Sequence, residues 1–373
     1  MNPLLELSAL GQSIWLDSIS RKLLDGGGLA ALVREDGIAG VTSNPSIFEK
    51  AIGEGVEYRP AIQKLLAESP GASAFELYER LAVRDIQDAA EVLRPVFERT
   101  RGRDGFVSLE VTMKHGEDRG AILAEARHLA QICARPNVLI KVPGTAEGIA
   151  AFETLTGEGL NVNVTLLFSV ATYIRVAEAY LAGLEAFAKK GGDLSKAASV
   201  ASFFVSRIDT AVDAELEKQS PPRDLRGKAA IANAKLAYAK YLELFGGARW
   251  QALAAKGART QRVLWASTST KNKAYRDVMY VEELVGKDTV NTAPPATIDA
   301  FRDHGRARLS IQEDLAGARD DLAALGKMGI SLERVTDQLL AEGLAAFAGA
   351  FDKLLATIDM QRRSAGVAAR ASK

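Results

Sequence analysis

Lys141 stands inside "VLIKVPGT", residues 138–145, an apolar and β-branched run that ends at a proline and a glycine. Such a run reads as a buried strand, where a lysine is among the least expected residues. A solitary lysine near a strand end usually extends its ammonium into water along its own methylenes. The alternative is an amine held in apolar surroundings, which loses its proton more readily and then attacks a carbonyl. The other β-rich runs discriminate between the two. They close on Asp17 in "WLDS", Thr42 and Asn44 in "VTSNP", Glu110 in "SLEV", Asn163 and Thr165 in "NVNVT", Ser202 in "ASFF" and Ser267 in "LWAST". A snorkelling lysine requires no polar partners on neighbouring strands, whereas a lysine that exchanges protons with substrate does. A lysine, two carboxylates and a set of hydroxyls and amides suit imine chemistry without a cofactor.

Each of these residues has an ordinary use as well. Ser and Thr at strand ends cap following helices, and Asn44 before Pro45 signals a turn. The period of two favours a shared site. Asn161, Asn163 and Thr165 alternate with Val162, Val164 and Leu166, and Ser108 and Glu110 alternate with Val107, Leu109 and Val111. This spacing places the polar set on one face.

Eight short β-rich runs begin near residues 13, 37, 105, 137, 160, 199, 262 and 288. Stretches with helical spacing separate them, as in "AFELYERLAVRDIQDAAEVLRPVFERT". Alternating strand and helix implies a parallel sheet. A doubly wound sheet shares that order, but eight strands are what a closed barrel needs. The expected fold is therefore α/β, a single (β/α)8 TIM barrel over 1–358 with additional helices near 45–104, 206–257 and 310–357. A flexible basic tail is expected over 359–373. C-terminal strand ends are where such barrels hold their chemistry, which is where the polar set falls.

Equal numbers of basic and acidic residues, 47 each, give no overall pull toward nucleic acid or an anionic membrane. No run is long and apolar enough for a membrane span, and the start lacks the features of a secretory signal, so a cytoplasmic location is expected. The lone Cys133 reads as a small buried hydrophobe, and the three histidines lack metal-ligand spacing, so no metal is expected. Phosphate-loop, dinucleotide-binding, GxSxG and HExxH motifs are absent.

The segments "GVTSNPSIF", "LIKVPGT", "NVNVTLLFS", "SFFVSRID" and "LWASTSTKN" resemble the transaldolase family, in a longer bacterial form, over about residues 17–295. The resemblance implies transfer of a dihydroxyacetone unit from sedoheptulose 7-phosphate to glyceraldehyde 3-phosphate, giving erythrose 4-phosphate and fructose 6-phosphate. It implies sugar-phosphate substrates, no cofactor, and a monomer or homodimer. Lys141 corresponds to the Schiff-base lysine, Asp17 to the carboxylate that deprotonates the donor hydroxyl, and Glu110 and Thr165 to the pair that holds a proton-relaying water. Asn44 and Asn163 correspond to the amides that position substrate. Thr42, Ser202, Phe204 and Ser267 would line the site. Arg207 matches the phosphate-binding arginine. Shorter relatives carry a second arginine two residues after the equivalent of Ser267; Ser269 stands there in this chain, and Lys271 is the replacement cation expected. An aldolase releasing free dihydroxyacetone would use the same fold and lysine, while a sugar-phosphate binding protein would not need Asp17, Glu110 and Lys141 together.

Overall fold

Eight parallel strands close into a barrel in the computed structural model, which describes residues 2–219 and 224–371. They are β1 (Gln12–Leu16), β2 (Gly40–Thr42), β3 (Phe106–Glu110), β4 (Val138–Pro143), β5 (Val162–Leu167), β6 (Ser199–Phe204), β7 (Arg262–Ala266) and β8 (Thr289–Ala293). Their spatial order follows the chain, and β8 pairs with β1 to close the ring. All eight expected runs supply a strand, and the fold is the single (β/α)8 barrel that their count implied. Every strand residue is buried, because side chains on one face fill the barrel and those on the other lie beneath helices.

Register turns sequence spacing into proximity. Glu110 of β3 pairs with Lys141 of β4, and Lys141 pairs with Asn163 of β5. Three polar side chains from separate segments thus stand at one level. At the opposite end, strand starts are tied by a buried pair: Arg262 Nη2 lies 2.8 Å from Asp104 Oδ1. Asp104 also accepts from Ser13 Oγ and Trp15 Nε1. Near them, β2 begins at a glycine because nothing larger fits; a Cβ on Gly40 would lie 2.4 Å from the Trp15 ring.

The expected extra helices occur in all three regions, including Ala74–Arg99, Ala229–Leu244 and the C-terminal helix Leu332–Ala371. Phe347, Phe351, Leu354 and Ile358 are buried on the last of these, spaced by four, three and four residues as one helical stripe. Phe351 meets the Tyr78 ring edge-on at 5.1 Å. The helix does not stop at 358: it continues through the segment expected to be a tail, and Gln361 Nε2 donates to Ile52 O. "MQRRSAGVAARA" contains no proline and several good helix formers, so nothing in it ends the helix. Residues 372 and 373 of that segment lie outside the described residues. Among the described residues no helix is long and apolar enough to cross a membrane.

Candidate active site

The C-terminal strand ends surround a cavity of about 250 Å³ whose lining includes Asp17, Lys141, Thr165, Arg207 and Phe347. Thr42, Asn44, Ser202, Phe204, Ser267 and Lys271 line it as well. Glu110 and Asn163 are set behind its wall, each bonded or paired to a neighbour. Ten of the twelve residues singled out from the sequence therefore face one space, and the other two support it.

Lys141 is 5% exposed. Its Nζ donates to Ser43 O at 3.0 Å and lies 3.1 Å from Glu110 Oε1, an ion pair rather than an aligned hydrogen bond. The Phe347 ring centroid is 5.9 Å from the same nitrogen. An amine so placed has a carboxylate for proton exchange, a carbonyl to fix its direction and an apolar lid. Glu110 Oε2 and Thr165 Oγ1 are both buried with no hydrogen-bond partner. Unsatisfied buried oxygens are costly, and these two, Thr165 lining the cavity and Glu110 behind its wall, fit a bound water or substrate hydroxyl.

Asp17 is reached by a second chain of groups. Thr42 Oγ1 donates to Asp17 Oδ1 at 2.6 Å and lies 2.7 Å from Thr292 Oγ1. With the Thr42 proton directed at the carboxylate, Thr292 is the donor in the second contact. Burial pushes the Asp17 carboxyl upward, while the Thr42 hydrogen bond and the Lys141 charge pull it back. Burial likewise raises Glu110, opposed by Lys141 and reinforced by Asp17. Two carboxylates with raised affinity for protons flank one amine, which is the arrangement proton transfer at neutral pH requires.

Asn163 is held on both sides: Nδ2 donates to Ser108 Oγ at 3.1 Å and Oδ1 accepts from Ser202 Oγ at 2.7 Å. Asn161, expected on the same inner face, instead precedes β5. It joins strand starts by donating to Pro136 O and accepting from Ala198 N. Parity assigned its face but not its height along the barrel. Asn44 Oδ1 caps the helix Pro45–Glu54 by accepting from Ile47 N. The turn signal and the cavity position are thus both realised by one side chain.

Arg207 is the second residue of the helix Ser206–Leu216, which follows β6 after Val205. Its guanidinium carbon is 5.4 Å from the Phe204 ring centroid and 6.0 Å from that of Phe347. Burial lowers its pKa, and Glu342 opposes that shift. Ser267, in the left-handed region at φ 56°, lies with its Oγ 2.9 Å from Ser206 Oγ. Lys271 is exposed, and its Nζ donates to Ser269 Oγ at 2.9 Å. A planar cation between two rings and a lysine on the rim form a positive corner suited to a phosphate.

Sequence reasoning missed three participants. Thr292 carried the same signal as the others, a polar residue at a strand end. The Ser43 carbonyl had none, since any residue supplies a carbonyl. Phe347 lies far beyond the last strand, where helical periodicity shows a buried face but not what that face covers. Among the described residues no cluster of three or more His, Cys, Asp or Glu is placed to hold a metal ion.

A family model described as Transaldolase/Fructose-6-phosphate aldolase matches residues 14–358 of the chain. A protein from Thiobacillus denitrificans named Transaldolase is 48% identical over 360 residues, covering 96% of this chain and all of its own. One from Trichodesmium erythraeum, also named Transaldolase, is 45% identical over 370 residues, covering 96% and 97%. Transaldolase 1 of Streptomyces coelicolor is 46% identical over 364 residues, covering 97% and 95%.

Proposed function

Because the chain belongs to the transaldolase/fructose-6-phosphate aldolase family, we propose that it moves a dihydroxyacetone unit from sedoheptulose 7-phosphate to glyceraldehyde 3-phosphate through an imine on Lys141. The observation that carries the reading is the Lys141 amine, held between the Glu110 carboxylate and the Ser43 carbonyl beneath a cavity that Asp17 and Arg207 also line.

Neutral Lys141 attacks C2 of the ketose. Water is lost through proton exchange with Glu110 and the Thr165 hydroxyl, leaving a protonated imine. Asp17 takes the proton from the C4 hydroxyl, and the C3–C4 bond breaks. Its electron pair passes to the imine, which becomes an enamine, and erythrose 4-phosphate leaves as an aldehyde. The enamine carbon then attacks the aldehyde carbon of glyceraldehyde 3-phosphate, Asp17 returns its proton to the new alkoxide, and water releases fructose 6-phosphate. The Thr42 hydrogen bond favours the ionised form of Asp17 that accepts the proton. Asn44 and Asn163 orient hydroxyls of the bound sugar, Ser202, Phe204 and Ser267 shape the space around it, and Arg207 with Lys271 holds the phosphate. Relatives named transaldolase favour transfer over release of free dihydroxyacetone.

The enzyme works in the cytoplasm, as a monomer or homodimer, on freely diffusing sugar phosphates. Borohydride reduction with fructose 6-phosphate should add one dihydroxyacetone-derived group at Lys141, located by mass spectrometry. Transfer activity retained in full by Lys141→Ala would refute the mechanism.

A further inference from the structure

A larger cavity, about 460 Å³, opens at the opposite end of the barrel. Its wall includes Phe106 and Arg262, the first residues of β3 and β7, and so lies at strand starts, away from the catalytic lysine. Four guanidiniums line it: Arg101, Arg103, Arg259 and Arg262. Two are neutralised within the fold, Arg103 by Asp288 and Arg262 by Asp104. The other two have no carboxylate at ion-pair distance among the described residues. Arg259 is partly buried and spends one donor on Gly102 O at 2.7 Å. Gly102 leaves room for it, since a Cβ there would lie 2.7 Å from Arg259 Nη1. Burial lowers the Arg259 pKa, and the charges of Tyr180 and Asp193, neither within ion-pair distance, oppose that shift. Trp250 and Phe106 supply an apolar side to the same cavity.

From this geometry we infer a second ligand site, in which Arg101 and Arg259 hold the phosphate of an organic phosphate monoester while the Trp250 and Phe106 side receives its ring-bearing body. A guanidinium with unspent donors pairs bidentately with phosphate oxygens, and the volume is that of a small-ligand pocket. The paired arginines contribute no net charge, so selectivity for the dianion rests on the two free ones.

Isothermal titration with adenosine 5′-monophosphate and, separately, inorganic phosphate tests this on the full chain. The nucleotide should bind at one site per chain and more tightly than phosphate alone. Arg207→Ala should leave that binding unchanged, and Arg259→Ala should weaken it at least about tenfold, the cost of losing charge-assisted hydrogen bonds. Arg101→Gln should weaken it too; this exposed residue has no ion-pair partner, so the variant carries the test if Arg259→Ala fails to fold. The inference is overturned by absence of saturable binding, by nucleotide binding no tighter than phosphate, or by binding lost with Arg207 and retained without Arg259.

Discussion

Replacing Thr42 by valine removes one oxygen and keeps the shape of the side chain. The hydroxyl donates to Asp17 Oδ1 at 2.6 Å, a short contact to an ionised acceptor. A hydrogen bond to a charged group contributes about 1.5–3 kcal/mol, all of it to the ionised form here, so its loss should raise the Asp17 pKa. The direction follows from which form the bond favours: Thr42 stabilises the carboxylate, and burial, already pushing that carboxyl upward, is then less opposed. In the proposed mechanism Asp17 must be ionised to accept the C4 hydroxyl proton, so the acidic limb of the kcat profile should move to higher pH. Activity should largely recover above the displaced limb. Thr42→Ser keeps the donor and should keep the wild-type limb. Thr292 Oγ1 also loses its partner, which should lower stability by about 1–3 kcal/mol in the valine variant, read as a reduced Tm. The measurement is transfer to glyceraldehyde 3-phosphate followed across pH at saturating substrate. An unmoved acidic limb, with kcat reduced equally at every pH, would refute the reasoning and leave Thr42 a purely geometric support.

Arg207→Ala should raise KM for phosphorylated substrates by about ten- to a hundredfold while changing kcat less, since charge-assisted bonds to phosphate bind ground and transition states alike. Lys271→Ala, on the exposed rim, should give a smaller KM effect that added salt diminishes. Asp209, on the Arg207 helix, accepts from Ala230 N and Tyr280 Oη, and burial raises its pKa to about 7. The folded state then keeps a proton that the unfolded chain releases near 3.8, so stability should fall as pH rises from about 4 to about 7, by roughly 4 kcal/mol, and level off above. Asp209→Asn lacks this dependence; its stability relative to wild type should grow over that interval in denaturant titrations, and a constant difference would contradict the assignment.

The sequence by itself determined the elements and the inner set. Strand and helix alternation with eight β-rich runs is a local pattern, set by which side chains tolerate burial on both faces, and it specified the barrel. Polar strand ends singled out Asp17, and the same signal read with a period of two singled out Glu110, Lys141 and Thr165, because a strand's alternation is geometry that the chain carries in its own spacing. Tertiary structure decided what depends on height and on distant segments. Asn161 has the parity of Asn163 but stands just before β5 begins, one step nearer the strand starts, since parity fixes a face and only inter-strand register fixes a level. Thr292 reaches Asp17 through Thr42 because β8 closes on β1, and Phe347 covers Lys141 because the C-terminal helix continues over the strand ends. The Ser43 carbonyl that directs the amine belongs to every residue's backbone and carries no letter of its own. Contacts between segments far apart in sequence are set by packing of the whole barrel, which no local spacing encodes.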